Sequence, residues 1–409
     1  MGPIVKSTFQ TSFVLGLRLL IQAGTLLLVA RMLGPSQFAA FAGIAALAVL
    51  LGTFSTFGTH ILMLVEVSKD RTQRENILSY AVPTTLIMGS LIFLIYIFLC
   101  LLLFENFTLP LQIIFCIGFT EIVLLPVYLL ATTEELALEK TAISQLLMIF
   151  PLALRAFAVT VVMIIDTNFP LEFYSWLYLV SGLLALGCMK LYKPNSWLKF
   201  GQWRFAKKRE IKNSSGYAIL ALTAAGPGEL DKMLAVKILS VGAGGLYIAA
   251  SRVIGAATLP VTALLLSLLP RLFRDGKISL QRSRQLNNLI LSCVFVYSVT
   301  LAALIWSIAP WVEWLFGHKY QGMTEMLQWL CFSVPALSLR LSIVSMLMTM
   351  ERPWLRVGVE ILGMFVLIIN AIIFYPIFGV IGMALALALA EWLMVLIGYL
   401  IVLKLQISP

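Results

Sequence analysis

The charged residues of this chain sit in short gaps between long apolar runs, and the gaps alternate between Lys/Arg-rich and Lys/Arg-poor. Few folds are open to a chain punctuated in this way. Apolar runs of about 18 to 28 residues, long enough for a helix to cross a hydrocarbon layer of about 30 Å, occur near 10–30, 38–66, 77–104, 110–131, 142–165, 171–192, 214–237, 244–270, 286–309, 325–349, 355–375 and 381–403. A backbone inside lipid must satisfy its own N–H and C=O groups, and a helix does so within one segment. The expected fold class is therefore an all-α polytopic membrane protein with about twelve transmembrane helices.

The rich gaps hold 21 of the 29 Lys and Arg residues, including Lys69, Arg71 and Arg74, the eight between Lys190 and Lys212, and the five between Arg271 and Arg284. The poor gaps hold only Arg31, Lys237 and Lys319. Translocating cationic loops is disfavoured, so the rich set is assigned to the cytoplasm, and both termini with it. The net charge of +10 is thus mostly an orientation signal, and no nucleic-acid partner is expected.

Several classes are disfavoured. No gap exceeds about 25 residues, which leaves no room for a soluble catalytic domain, and no catalytic residues are assigned. The five cysteines show no CxxC spacing and read as apolar packing residues, so neither a disulfide framework nor a metal site is expected. Arg18 at the centre of the first span, with no small-residue cleavage pattern after it, argues against a cleaved signal peptide. No GxxxxGK[ST] motif occurs, so ATP drive through a P-loop is unsupported and no cofactor is expected.

The longest gap, 193–213, interleaves Trp197, Phe200, Trp203 and Phe205 with Lys199, Arg204, Lys207, Lys208 and Arg209. This pattern suits a short amphipathic helix on the inner leaflet. It also divides the chain into an N-terminal six-helix lobe, 1–192, and a C-terminal one, 214–409. At the end of the first span the chain reads Arg31-Met32-Leu33, then Phe38-Ala39-Ala40-Phe41. At the end of the seventh it reads Lys237-Ile238-Leu239, then Gly244-Gly245-Leu246-Tyr247, an offset of 206 at both ends. An even number of spans per half makes such a repeat parallel, as in transporters whose halves are related about the membrane normal.

Five segments in order resemble a known family: Leu28-Val29-Ala30-Arg31-Met32-Leu33-Gly34-Pro35; Asp231-Lys232-Met233 with Gly245-Leu246-Tyr247-Ile248-Ala249-Ala250-Ser251-Arg252; Leu259-Pro260 with Leu269-Pro270-Arg271; Leu315-Phe316-Gly317 with Tyr320; and Pro376-Ile377-Phe378-Gly379-Val380-Ile381-Gly382. They look like the polysaccharide-transport branch of the multidrug/oligosaccharidyl-lipid/polysaccharide (MOP) exporter superfamily, which includes the Wzx-type flippases. The resemblance implies two six-helix lobes around a central cavity, as in the related MATE transporters. It also implies export of undecaprenyl-pyrophosphate-linked O-antigen or capsule units across a bacterial inner membrane, in partnership with a polysaccharide polymerase and chain-length machinery. Some members carry two further C-terminal spans that this chain lacks.

Independently of that resemblance, many charges fall at mid-span: Arg18, Glu121, Arg155, Glu229, Asp231, Lys232, Arg252, Arg340 and Glu391. Each costs about 2.5 to 3.5 kcal/mol on insertion scales and faces a cavity or a partner. In the first span Ser7, Thr11, Arg18, Gln22 and Thr25 share one helical face, which reads as a cavity wall or else as a polar helix–helix seam. In the second, Thr53, Thr56 and His60 align, and His60 is either a proton relay or a side chain hydrogen-bonded to a neighbour. Gly226-Pro227-Gly228 predicts a kink just before Glu229, Asp231 and Lys232. These three either neutralise one another or form a moving charge relay for ion coupling, a role for which Glu121 and Glu391 are further candidates.

Arg18, Arg155, Arg252 and Arg340 come from four spans in both halves, and a guanidinium fork matches phosphate oxygens. With Gln22 and Thr25 they are the candidates for a pyrophosphate-binding cavity wall. Four acids are equally placed to neutralise them, which leaves the sign of the cavity open. Three functions remain: a flippase for lipid-linked oligosaccharide, an ion-coupled antiporter of cationic drugs from the same superfamily, and a membrane enzyme acting on lipid-linked sugars. The third would need an acidic DxD or a sizeable outer loop, and neither is present.

Overall fold

The structure is a computed structural model and describes residues 3–104, 109–195, 197, 199–262, 264–265, 280–350 and 352–407, without the side chains of 3–13, 15, 280–283 and 406–407. Among the described residues every regular element is helical. Helix α1 (Pro3–Ser55) is interrupted at Gly34, where φ 69 and ψ 170 leave the helical region, so it forms two arms, 3–33 and 35–55. There follow α2 (Thr59–Lys69), α3 (Gln73–Leu103), α4 (Leu111–Phe119), a π-helical turn (Thr120–Leu124), α5 (Leu125–Ala137), α6 (Thr141–Ile165) and α7 (Pro170–Tyr192). The rest comprises α8 (Lys208–Ile238), α9 (Val241–Ala257), α10 (Leu280–Phe316), α11 (Met323–Cys331), α12 (Ser333–Thr349), α13 (Pro353–Phe378) and α14 (Val380–Ile407).

Among the described residues nine helices are long and apolar enough to cross a membrane, or up to ten with α11 and α12, bent by 44°, as one span. The first of the nine includes both arms of α1. Helix α8 has 31 residues, but its charges keep it outside that set. Outward faces are apolar, with Leu94, Phe98, Ile164, Phe365 and Ile372 exposed, as a hydrocarbon solvent allows and water does not.

By internal contacts the chain forms two compact units, one of Met1–Leu33 with Ala40–Ala225, the other of Gly34–Ala39 with Gly226–Pro409. In the first, α2, α3, α5 and α7 enclose a core of Met63, Leu78, Leu130 and Ala185. In the second, α13 lies along α14, while α10, α12 and α14 share a core of Ile290, Val294, Ile343, Met346 and Val402. The helix breaks at Gly34 and at the N-cap Ser240 fall at equivalent places of the 206-residue repeat. Within the second unit the backbone of Pro35 lies where a Cβ on Gly245 would have to be, so glycine permits the corner at Gly34 to close onto α9.

Three local expectations are corrected. Span two is not one helix: Phe57 and Gly58 adopt positive φ, 48° and 74°, and the Gly58 backbone is pressed against Ser214, Tyr217 and Ala218 of α8 with no room for a Cβ. Among the described residues of 193–207 no amphipathic helix forms and the one regular element is a 3-10 turn, Phe200–Gln202, while 208–213 already belong to α8. The indoles are used for packing instead: Trp197 Nε1 donates to the Val127 carbonyl (3.0 Å) and Trp203 Nε1 to the Trp197 carbonyl (2.9 Å), leaving Phe200 and Phe205 as the exposed aromatics. Pro227 lies inside α8, which stays helical through Gly226-Pro227-Gly228, since one missing donor leaves the flanking backbone bonds in place. Cys188 and Cys293 lie on exposed helix faces, while Cys100, Cys116 and Cys331 are buried packing residues. The motif Leu269-Pro270-Arg271 and most of the basic turn 271–284 lie outside the described residues.

Candidate functional site

The first arm of α1 carries the polar face expected from its spacing, of which Arg18, Gln22 and Thr25 have described side chains. Arg18 is half-buried and donates from Nη1 to Gln145 Oε1 of α6 at 3.0 Å, with Met148 Sδ at 3.8 Å. Gln22 is exposed. Thr25 turns its hydroxyl back to the Ile21 carbonyl at 2.7 Å, so it offers a solute little. On the same arm, nothing lies within 4 Å of a Cβ built on Gly16 or Gly24.

Arg155 is held quite differently. Its Nη2 meets Glu121 Oε1 at 2.8 Å, and its guanidinium lies 3.9 Å above the Tyr178 ring. The Tyr178 hydroxyl donates to the same Glu121 oxygen. Tyr174 and Phe41 pack edge-on against this ring at 5.9 and 6.0 Å and against each other at 5.6 Å. Glu121 sits in the π-helical turn Thr120–Leu124, an irregularity found often at functional positions. Glycines on two neighbouring helices allow close approach to that turn: a Cβ on Gly52 would fall 2.6 Å from the Glu121 carbonyl oxygen, and one on Gly89 3.0 Å from that of Ile122.

Among the described residues the second unit contains three further charge groups, one of them the pair of Arg356 and buried Glu360 on α13 at 3.1 Å. Asp231 Oδ2 accepts from Ser251 Oγ at 2.8 Å and the Tyr247 hydroxyl at 3.4 Å, both on α9. Lys232 Nζ lies 3.6 Å from Asp231 and 3.5 Å from Glu229, and donates to the Gly228 carbonyl. Glu229 also faces Arg252 at 3.5 Å. The structure thus brings together Glu229, Asp231, Lys232 and Arg252 as one group of paired charges, with open space beside Gly228. Separately, Arg340 of α12 meets Glu391 of α14 at 2.5 Å, both side chains buried.

The four arginines are therefore not equivalent as phosphate ligands. Arg155, Arg252 and Arg340 each face a carboxylate, whereas Arg18 has no carboxylate partner among the described residues. A guanidinium already paired at close range is a poorer ligand for a second anion than Arg18, whose partner is neutral. His60 is joined to Thr56 Oγ1 through Nδ1 at 2.6 Å, and the three-residue alignment with Thr53 is interrupted by the break at Phe57 and Gly58.

One cluster escaped the sequence reading. Glu134 and Glu135, at the end of α5, are almost fully buried. Arg74 of α3 grips Glu134 with Nε at 2.6 Å and Nη2 at 3.2 Å. Lys193 reaches both acids, and Lys140 lies 3.4 Å from Glu135. These acids fall beyond the expected end of span four at 131, in a stretch that reads as loop, and adjacent acids in a loop carry no signal of burial. Among the described residues no three His, Cys, Asp or Glu side chains converge as metal ligands.

No family model and no curated protein matches this sequence. Its backbone does match solved structures. It is similar to the inward-facing conformation of a multidrug-resistance MATE-family transporter of the MOP superfamily, with a TM-score of 0.72 at 15% identity over 95% of this chain and 96% of that one. It is similar also to a MOP superfamily transporter from Pyrococcus furiosus whose binding pocket is described as having reverse polarity (TM-score 0.67, 14% identity, 98% and 96% covered). A MATE transporter of Vibrio cholerae gives a TM-score of 0.65 at 14% identity with 99% of both chains covered. Near-complete coverage of each partner, reached from an unrelated-looking sequence, shows that this chain has the fold of the MATE transporters of the MOP superfamily.

Proposed function

We propose that this protein is a secondary-type flippase that moves an undecaprenyl-pyrophosphate-linked oligosaccharide from the cytoplasmic to the periplasmic leaflet by alternating access, with 1–192 and 214–409 as its two lobes and 193–213 as the cytoplasmic linker. The observation that carries this reading is the position of Arg18, a half-buried guanidinium on a polar helix face, joined to a neutral amide and not to an acid. A cation held in low dielectric without a counter-ion favours an anionic solute, and its fork suits phosphate. The sequence resemblance supports the same branch of the superfamily. Partnership with a polymerase and chain-length machinery, residence in a bacterial inner membrane and cytoplasmic termini belong to this proposal.

A MATE-type antiporter of cationic solutes is the second reading, favoured by the identity of the structural neighbours and by the Glu229–Asp231 group. The two readings predict opposite behaviour at Arg18. In reconstituted vesicles carrying a fluorescent polyprenyl-pyrophosphate sugar, Arg18→Ala should lower flipping at least tenfold with the protein still folded, and Arg18→Lys should restore it in part. Cation export that persists or improves in Arg18→Ala, with no lipid flipping by the unmodified protein, would establish the antiporter instead.

A further inference from the structure

Within the second unit an open-sided groove of about 550 Å³ runs between α10, α12 and α14. Its lining changes character along its length. Asn288, Ser292 and Tyr399 contribute polar atoms, whereas Phe295, Trp392 and Leu396 are apolar, and Leu339 and Ile343 of α12 form its back wall. Helix α10 runs away from the end at which α12 and α14 finish, so Asn288 and Tyr399 share one level. Phe295 and Trp392 lie seven residues deeper on their helices, about 10 Å at 1.5 Å per residue. The groove is therefore polar toward one end of the spans and apolar toward their middle.

A cation stands at the polar end. Arg284 lies one turn before Asn288 on the same face of α10, and its Nε is buried with no hydrogen-bond partner; so is Oδ1 of the neighbouring Asn287. Buried polar atoms in a folded protein are normally paired. The Asn287 oxygen is an acceptor and offers an anion nothing, but the unpartnered Arg284 guanidinium donor one turn from an apolar groove matches a ligand with an anionic head and a hydrocarbon chain. The charge alternation of the sequence assigns this end to the cytoplasm, where the leaflet surface is rich in anionic lipid.

We propose that this groove binds one anionic membrane phospholipid, with an acyl chain along Phe295, Leu396 and Trp392 and the headgroup phosphate on Arg284. Nothing in this depends on what the protein transports. Arg284 supplies the headgroup preference through its charge, and the apolar wall supplies chain affinity whatever the headgroup.

Trp392 reports occupancy directly. The full-length protein would be reconstituted in nanodiscs of phosphatidylcholine containing a small fraction of dibromo-chain lipid. The signal from Trp392 is the quenching lost in Trp392→Phe. Dibromo-phosphatidylglycerol should quench Trp392 several-fold more than dibromo-phosphatidylcholine at equal mole fraction. Arg284→Gln should abolish that preference, and Arg284→Lys, which retains the charge, should keep it. Equal quenching by the two lipids in the unmodified protein overturns the proposal, as does a preference that survives Arg284→Gln. Flipping of the sugar lipid, read separately at Arg18, stands or falls without reference to this result.

Discussion

Glu121 and Arg155 meet at 2.8 Å inside the first unit, with the Tyr178 ring 3.9 Å from the guanidinium and its hydroxyl bonded to the same carboxylate. Three helical segments are thereby tied at one point, and the acid is carried on a π-helical turn. Removing one partner of such a buried pair leaves an uncompensated charge and costs about 3 to 5 kcal/mol. Glu121→Gln and Arg155→Met should each lower the thermal midpoint in detergent strongly, while the double substitution Glu121→Gln/Arg155→Met should recover part of the loss. If the double variant loses the sum of the two, the pair is not acting as a unit.

The Arg340–Glu391 pair joins α12 to α14 at 2.5 Å with both side chains buried. The same argument predicts that exchanging them, Arg340→Glu with Glu391→Arg, keeps more protein in the membrane than either single reversal. Abundance after membrane extraction is the readout, and equal loss in all three would show that surrounding groups, rather than mutual attraction, fix the sign at each position.

Asp231 is bonded to Ser251 and Tyr247 and lies beside Lys232. As a coupling carboxylate it would exchange a proton or cation against that internal partner. Asp231→Asn preserves shape and removes the titration. Head-group binding should remain measurable while net transport under an imposed ion gradient slows at least tenfold. Transport at the unmodified rate would limit Asp231 to neutralising its neighbours.

In the linker, Arg204 grips Glu210 through Nη1 and Nη2 at 2.8 and 2.7 Å and also reaches Asn76 at the start of α3. The hydrogen bond from Arg204 holds the Glu210 carboxyl below its ordinary 4.5. A depressed acid contributes stability above its unfolded pKa and loses it as pH falls through the folded one. The protection factor of the 199–207 amides, which is exchange corrected for its intrinsic pH dependence, should therefore be unchanged from pH 8 to 5 and fall below about 4.5. Glu210→Gln should show the lowered protection already at neutral pH. A protection factor indifferent to both changes would mean that the two indole hydrogen bonds alone hold the segment.

Orientation is tested by single cysteines at Lys199, Lys207 and Lys212 in a variant lacking the five native thiols. In intact cells they should resist a membrane-impermeant maleimide and react after permeabilisation. Labelling from outside would reverse the orientation and the direction of export.

What the sequence determined by itself is what depends on local composition. Helices long enough to span, the breaks at Gly34 and Ser240, and the presence of charges within spans all follow from hydropathy and from residues whose backbone preferences act over a few positions. The polar face of α1 was legible for the same reason, since helical periodicity places Arg18 and Gln22 together without help from elsewhere. The tertiary structure decided which charges neutralise which. Glu121 could as well have met Lys232 as Arg155, and no spacing within a span says that three of four arginines face acids while Arg18 faces Gln145. It decided also that Trp197 and Trp203 pack inward, that Glu134 and Glu135 are buried, and that span two breaks at Gly58 where α8 presses against it. Each of these depends on close approach between residues tens to more than a hundred positions apart, and such proximity is set by how whole helices pack.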